Sequence, residues 1–407
     1  MRIAVLIQWN PFYGQGAAAN RWQGLLNGLL SREAEIDIYC YGGFREIAEK
    51  DSQNTLRPGL RIFNVSQQVY DTLWKRRLLE YVLKPLYQVR FYAQLRKALK
   101  REYYDFIWLD HGIIEYETSL KLKANFPGIN LFTELSEFLD IHRYNKHNAL
   151  QIKHGDRCLE LFEKSILPSL SGIAYMTRTL MNYYQNQVNK APAAMHLPST
   201  VALDRFEGMT KIPMEKEYSY FAYLGVMNNQ KDGVDILIQA FAGIAKEFPR
   251  VNLHLYGYLH PDMEMQKELI QDFNLQDRIF YKGAIPSEEA ARVMINARAL
   301  LLPRPDSHQA RGGFPTKLGE YLATGNPVCA TSVGEIPDYL NDGESVFFAK
   351  PGSVEEFADA MRKVLSDTNK ASLVGAKGKE IAETRFNAKI QSEQLFQFLN
   401  QLKDAKK

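Results

Sequence analysis

Residues 301–336 read LLPRPDSHQARGGFPTKLGEYLATGNPVCATSVGEI. An apolar run of strand length is followed by a polar loop with a glycine pair and a proline, then a short helical segment closed by Gly325, then a second apolar run from Pro327 to Ala330. Strand, loop, helix and strand in this order make a βαβ unit, and its loop leaves the carboxyl end of a buried strand. Thr316 and Lys317 fall at the start of the helix, where a hydroxyl, backbone N–H groups and an ammonium can meet phosphate oxygens. Glu320 lies one turn on, on the same side, and a carboxylate beyond a phosphate site suits the paired hydroxyls of a ribose. The bland alternative is a Lys–Glu pair on a helix surface.

Outward from this stretch the same rhythm repeats. Strand-length runs at Tyr220–Leu224, Asn252–Tyr256, Ile279–Tyr281, Ala299–Leu302, Pro327–Ala330 and Ser345–Phe348 form one series. An earlier series runs through Ile3–Ile7, Ile36–Tyr41, Phe106–Leu109, Asn130–Thr133 and Ile173–Met176. Between them, HLPSTVALDRFEGMTKIPMEKEYS holds two prolines in a stretch of mixed charge without period, which predicts a linker near residues 200–217. The expected fold class is α/β with two Rossmann-like units, and chemistry is expected in the loops after Ile7, Leu109, Leu224, Leu302 and Ala330.

Two further loops have anion-binding character. After Leu224 come Gly225, a polar loop and a helix on which Val234, Leu237, Ile238, Phe241 and Ile244 share a face. Asp232 is expected to cap that helix, and Lys231 just before it to add charge to the positive helix end. After the first strand, Gly14, Gly16 and Ala19 satisfy the G-x-G-x-x-[GA] pattern, with Gly16 a candidate phosphate contact. Close packing of a turn explains those glycines equally well, and YCYGG after the second strand offers no acid for a dinucleotide ribose.

Composition narrows the class. The 407 residues, 45% hydrophobic and 24% charged, suit two folded domains, and a net charge of +3 gives no pull toward nucleic acid. Cys40, Cys158 and Cys329 are scattered without metal-type spacing, so neither a disulfide framework nor structural zinc is expected. MRIAVLIQWNPF reads as a first strand rather than a leader, no run reaches membrane-span length, and a cytoplasmic protein is expected. A local basic excess stands out at residues 71–101, with nine basic and two acidic residues among Trp, Tyr, Phe and Leu. Such a helix suits the anionic inner face of a membrane, and a solvated amphipathic face is the plainer reading.

Several segments resemble the group 1 family of retaining glycosyltransferases with the two-lobed GT-B architecture, and the likeness runs along nearly the whole chain. It is carried by YLGVMNNQKDGVDILIQAF, LHLYGYL, FYKGAIPSEE, EYLATGNPV and GEIPDYLNDG, and in the first half by GIAYMTRTLMNYY and HLPSTVALDRFE, where Thr177, Pro198 and Val201 hold the pattern. The resemblance implies two Rossmann-like domains facing each other across a cleft. Residues 1–205 would bind acceptor, residues 206–385 a nucleotide-diphosphate sugar, and a helix within 386–407 would return to the first domain. It implies sugar transfer to a glycan or lipid-linked acceptor with retention, in surface polysaccharide assembly, with no metal and no further cofactor.

By position, Lys231 would neutralise the donor diphosphate, Thr316 and Lys317 would touch it, and Glu320 would hold the ribose. His111, at a strand end in IWLDHG, would contact the transferred sugar. Glu134 and Glu137 are candidates for acceptor binding or proton removal. Two departures stand out: Val226 replaces a usual Arg, and Gly312 replaces a Glu that in relatives touches the donor sugar. Arg304 or Arg311 could supply the missing cation. A sugar-nucleotide epimerase of the same fold and a nicotinamide-dependent oxidoreductase are the alternative enzymes, and an exported solute-binding protein the non-enzymatic one.

Overall fold

A computed structural model describes residues 1–12, 16–41, 57–64, 73–143, 149–212 and 219–405. The chain divides into two compact units, Met1–Leu197 with Gln391–Lys407, and Pro198–Ile390. Gly14 and residues 213–217 of the expected linker lie outside the described residues.

The first unit is built on a parallel sheet of seven strands: β1 (Arg2–Ile7), β2 (Glu35–Cys40), β3 (Leu60–Asn64), β4 (Phe106–Leu109), β5 (Leu131–Leu135), β6 (Gly172–Tyr175) and β7 (Ala193–His196). Their spatial order is β3-β2-β1-β4-β5-β6-β7. A strand alternates its side chains between two faces, and here both faces are covered. Ile3, Val5 and Ile7 join Phe106 and Trp108 in one core, while Ala4 and Leu6 join Ile107 and Leu109 in the other. That double burial is why these segments read as continuous apolar runs. The C-terminal helix Ala388–Asp404 adds Leu395 and Leu399 to the first of these cores. Phe398 and Leu402 of the same helix close on Gly172, where even a Cβ would stand 2.3 Å from Leu402.

The second unit holds a parallel sheet of six strands: β8 (Ser219–Leu224), β9 (Val251–Tyr256), β10 (Ile279–Gly283), β11 (Ala299–Leu302), β12 (Val328–Thr331) and β13 (Phe347–Ala349). Their order is β10-β9-β8-β11-β12-β13. Val234, Leu237, Ile238, Phe241 and Ile244 of the helix Val234–Ile244 are all buried against Phe221, Tyr223, Leu253, Leu255 and Leu301. Each such side chain taken out of water contributes about 1.5–3 kcal/mol.

Each sheet has one place where the strand order reverses, between β1 and β4 in the first unit and between β8 and β11 in the second. Loops leaving neighbouring strands at such a point diverge to opposite faces, opening a crevice at the carboxyl edge. Sequence runs overlap eleven of the thirteen strands seen among the described residues. The two not foreseen, β3 and β7, are the outer strands of their sheet, and such edges lack the fully apolar signature of a central strand.

Candidate functional site

The crevice of the second unit is lined by the loop after β8 and the loop after β11. Gly233, with φ +69°, lets the two backbones touch: a Cβ there would lie 2.1 Å from the carbonyl oxygen of Pro303. From the far side, Thr331 Oγ1 donates to the carbonyl of Arg304 at 2.6 Å and fixes the second loop to β12. The helix Thr316–Ala323 starts after Pro315, which offers no side-chain cap to the first-turn N–H groups. It ends at Thr324 and Gly325, the latter with φ +73°.

Lys317 points back across this crevice. Its Nζ donates to Asp232 Oδ1 at 2.8 Å and to the Tyr223 hydroxyl at 3.2 Å, and sits 4.6 Å from the centre of the Tyr223 ring. The ammonium passes over Gly225, where a Cβ would come within 2.4 Å of Nζ. A side chain at position 225 would have to displace the Lys317 ammonium or the Tyr223 hydroxyl from the end of β8. Burial holds the Lys317 pKa below its ordinary value, against the opposing pull of Asp232. For Asp232, burial favours the neutral acid, but Lys317, Lys231 and Arg304 together outweigh it and keep the carboxyl below the usual carboxylate range. The charges of Lys231 and Arg304 act on both members of the pair. Three cations therefore converge around one carboxylate.

Asp232 does not cap the following helix. That helix starts from Gly233 without a side-chain cap, because the Asp232 carboxylate is taken by Lys317. The cap in this loop is Asn228, whose side chain accepts from Lys231 N at 2.7 Å at the start of the turn Asn229–Asp232. Lys231 itself is exposed. The two candidates for the extra cation also separate. Arg304 is 6% exposed and stands within electrostatic reach of Lys317, whereas Arg311 is exposed and paired with Asp306 through two bonds of 2.7 Å. Arg311 already has a carboxylate in its fork, a poor state from which to receive a phosphate.

Glu320 lies one turn beyond Thr316 and Lys317, as the helix period requires, and pairs with Arg205, a residue in a stretch read from sequence only as a linker. Arg205 sits in the turn Leu203–Phe206 and bonds also to Ser287. Tyr321 was likewise not anticipated: its hydroxyl accepts from Leu224 N at 2.8 Å and lies 3.3 Å from Leu224 O, fastening this helix to the end of β8. Gly312 is buried at the end of the turn His308–Gly312.

In the first unit the expected residues gather at the carboxyl ends of β4 and β5, but in other roles. His111 Nε2 lies 2.6 Å from the carbonyl oxygen of Glu134 and Nδ1 lies 2.7 Å from the Tyr116 hydroxyl. A carbonyl can only accept, so Nε2 carries the proton and Nδ1 accepts from Tyr116. Both nitrogens are engaged, so the ring fastens β4 to β5 at the strand end where a sugar contact is expected. Glu134 is engaged as well. Its Oε1 accepts from Arg21 Nε at 2.8 Å and from Ser136 Oγ at 3.2 Å, and Arg21 and Glu134 are 3% and 7% exposed. A carboxylate sealed in a buried ion pair is unsuited to removing a proton from an acceptor. Glu137 is half-buried beyond the end of β5. Asp110, next to His111, is raised above the ordinary carboxyl value by burial, against a hydrogen bond from the His111 backbone. Gly16 lies at the start of the helix Ala17–Leu30 of this unit.

Comparison with known proteins places this geometry. Residues 204–381 match the family described as glycosyl transferases group 1. An amylovoran biosynthesis glycosyltransferase of Erwinia amylovora is 27% identical over 42% of this chain and 42% of its own length. A GDP-mannose-dependent phosphatidylinositol monomannoside mannosyltransferase of Mycolicibacterium smegmatis is 22% identical over 58% of this chain and 63% of its own. An exopolysaccharide phosphotransferase of Streptomyces coelicolor is 31% identical over 40% of this chain but only 17% of its own length. The chain thus spans less than two thirds of the length of these relatives. Among solved structures, a sucrose-phosphate synthase of Thermosynechococcus elongatus superposes with a TM-score of 0.76 at 20% identity, over 99% of both chains. Anabaena HepE in complex with UDP gives 0.70 at 15% identity, over 98% of this chain and 100% of its own. The fold is the GT-B fold that the sequence motifs imply.

Proposed function

We propose, from the premise that this chain belongs to the group 1 glycosyltransferases through residues 204–381, that it moves a sugar from a nucleotide-diphosphate donor to a glycan or lipid-linked acceptor. The observation that carries this reading is the convergence of Lys231, Arg304 and Lys317 on Asp232 where the strand order of the second sheet reverses. One carboxylate among three cations leaves a net positive crevice, suited to a diphosphate. Thr316 and the uncapped first turn of its helix add N–H groups aimed at the same anion, and Glu320 is the ribose carboxylate.

The acceptor oxygen forms a bond to the anomeric carbon as that carbon's bond to the diphosphate oxygen breaks. The electron pair leaves with the nucleoside diphosphate, and the hydroxyl proton goes to the leaving phosphate. Charge develops on the diphosphate, so fixed cations beside it lower the barrier. Arg304 takes the place of the cation missing at Val226, and with Lys231 and Lys317 it does the work without a divalent metal. Transfer retains configuration. The unit Met1–Leu197 serves the acceptor and the unit Pro198–Ile390 the donor. The setting is polysaccharide or glycolipid assembly, the processes named for the amylovoran and mannosyl relatives.

No helix among the described residues is long and apolar enough to cross a membrane. We place the protein at the inner membrane face through residues 71–101, whose helix runs over Leu73–Arg101. The side chains of Lys75, Arg76 and Arg77 lie outside the described ones. Sedimentation with phosphatidylglycerol liposomes that survives neutralising those three residues refutes this placement.

The test of the whole reading is a calorimetric panel of UDP, GDP, TDP and ADP in excess EDTA. At least one is expected to bind, and Arg304→Ala to weaken it roughly 10- to 100-fold, the worth of a hydrogen bond to a charged group. Arg311→Ala is expected to leave affinity within about twofold. Failure of all four to bind, or binding that depends on a metal, overturns the corresponding part.

A further inference from the structure

We infer that Arg205 is the positioning residue of the ribose carboxylate, fixing Glu320 and tying it to the loop that follows β10. The inference rests on reading Glu320 as the ribose contact. Arg205 stands in the short turn Leu203–Phe206 at the start of the second unit, and its guanidinium divides between two elements. Nη1 donates to Glu320 Oε1. Nη2 donates to Ser287 Oγ at 2.7 Å and to the Ser287 carbonyl at 3.1 Å. The three groups come from parts of the chain far apart in sequence, 115 residues for Arg205 and Glu320 and 82 for Arg205 and Ser287.

Burial decides how to weigh this contact. Both side chains are 21% exposed, neither a floating surface pair nor a sealed core pair. An exposed pair loses most of its strength to water and to side-chain entropy. Here the planar guanidinium is held at three acceptors, so its orientation is fixed by geometry before the carboxylate is considered. Glu320 gains from that. An unrestrained Glu on a helix samples many rotamers, whereas two vicinal hydroxyls can be received together only by a carboxylate whose plane is set. Arg205 sets it.

Ser287 shows the other half of the arrangement. It opens the helix Ser287–Asn296 without acting as its cap, since the cap position is Pro286, which has no hydroxyl to offer. The Ser287 hydroxyl is instead a ligand of Arg205. Through that bond the segment Gly283–Pro286, which leaves the carboxyl end of β10, is referenced to the same guanidinium as Glu320. Ligands in such a sheet lie along the carboxyl edge, so a nucleotide with its diphosphate at β8 and β11 and its ribose at Glu320 has its base toward β9 and β10. Arg205 therefore couples the part of the site that reads the ribose to the part that meets the base.

A rival account makes Arg205 a staple that merely fastens the turn Leu203–Phe206 to the unit. The two differ in what they predict for the ribose hydroxyls, not for stability. Calorimetry of the full chain with UDP and GDP, and with the 2′,3′-dideoxy form of each, separates them. The intact chain is expected to prefer the ribose form by ~10-fold or more, since hydrogen bonds to a charged group are lost with the hydroxyls. Arg205→Ala is expected to shrink that preference to about twofold, with affinity for the dideoxy form nearly unchanged. Arg205→Lys is expected to fall between, because a point charge can reach Glu320 but not fork to Ser287. Ser287→Ala, which removes the hydroxyl acceptor of Nη2 and leaves the carbonyl one, decides the matter if Arg205→Ala does not fold. It is expected to lower the preference measurably at unchanged dideoxy affinity. A full preference for the ribose form in both Arg205→Lys and Ser287→Ala makes Arg205 a staple and overturns the inference. An intact chain that binds both forms equally overturns the role of Glu320 and this inference with it, while leaving the diphosphate site standing. An intact chain that binds neither overturns the donor site itself.

Discussion

Replacing Asp232 by Asn tests the charge arrangement at its centre. In the intact chain the Lys317–Asp232 pair has side chains 20% and 9% exposed, with Lys231 and Arg304 also bearing on it. Taking one partner from a fully buried pair costs about 3–5 kcal/mol, and the partial access of water to Lys317 brings the expectation to about 2–3 kcal/mol. For a unit of this size the melting temperature should fall by roughly 5–10 °C at pH 7. The loss should then shrink as pH rises toward about 9.5, for a definite reason. Burial already holds the Lys317 pKa below that of a lysine in the unfolded chain, and loss of Asp232 lowers it further. Over the interval between the folded and unfolded values the unfolded chain binds more protons, so stability rises with pH. In the intact chain the Asp232 contribution has the opposite limit: its folded value is depressed, so its stabilisation is present above the unfolded carboxyl value and is lost as pH falls through the folded one. The assay is thermal denaturation at pH 7, 8 and 9.5, alone and with UDP or GDP, whose phosphates should replace the missing charge and give the variant the larger ligand-induced shift. Asp232→Asn combined with Lys317→Met should recover most of the loss, because an uncompensated ammonium no longer remains. A deficit that is the same at every pH and persists in the double variant would refute the claim that the Lys317 charge causes it.

Three other perturbations have defined outcomes. Glu134→Gln leaves Arg21 buried without its counter-charge and should destabilise the first unit by about 3–5 kcal/mol in urea titration, whereas Arg21→Met with Glu134→Leu should cost much less. His254, stacked on Tyr220 at 4.5 Å between ring centres, has its pKa pushed down to about 4 by burial. The unfolded chain therefore takes up a proton between about 4 and 6.5 that the folded one refuses, stability should rise with pH over that window, and His254→Phe should flatten the rise. Gly375→Ala would put a Cβ 2.3 Å from the carbonyl oxygen of Gly325 and 2.8 Å from the Asn326 carbonyl carbon. Backbone cannot step aside as a side chain can, so a loss at or above the usual 1–3 kcal/mol of overpacking is expected in thermal denaturation, and an unchanged melting temperature would show that the helix Thr368–Arg385 can slide.

The second half of the chain was more legible than the first, and the difference has a physical origin. Central parallel strands such as Ala299–Leu302 are buried on both faces and announce themselves as apolar runs, whereas Leu60–Asn64 and Ala193–His196 at the sheet edges do not. The helix with Lys317 and Glu320 was readable because the 3.6-residue period places side chains without knowledge of the rest of the fold. What was not readable were partners supplied from afar. Asp232 looked like a cap because its own helix follows immediately, and only the fold brings Lys317, 85 residues on, to 2.8 Å. His111 and Glu134 looked like chemistry because strand ends often carry it. Arg21 reaches Glu134 from 113 residues away, and Tyr116, though only five residues from His111, meets it through a turn into the next helix that the sequence pattern does not show. Arg205 was hidden by its setting in a stretch without period, where no pattern separates a working side chain from a solvated one.

The Tyr321 hydroxyl, placed between the amide and carbonyl of Leu224, bears on how fast a ligand is taken up. It locks the helix bearing Lys317 to the strand that ends at Leu224, so Lys317 keeps its spacing from Gly225 and Asp232. Such a pocket has little to assemble on encounter. Nucleotide capture should then follow a single exponential whose rate rises linearly with concentration, without the plateau that a slow rearrangement would impose. Tyr321→Phe should bring that plateau within reach of stopped-flow concentrations.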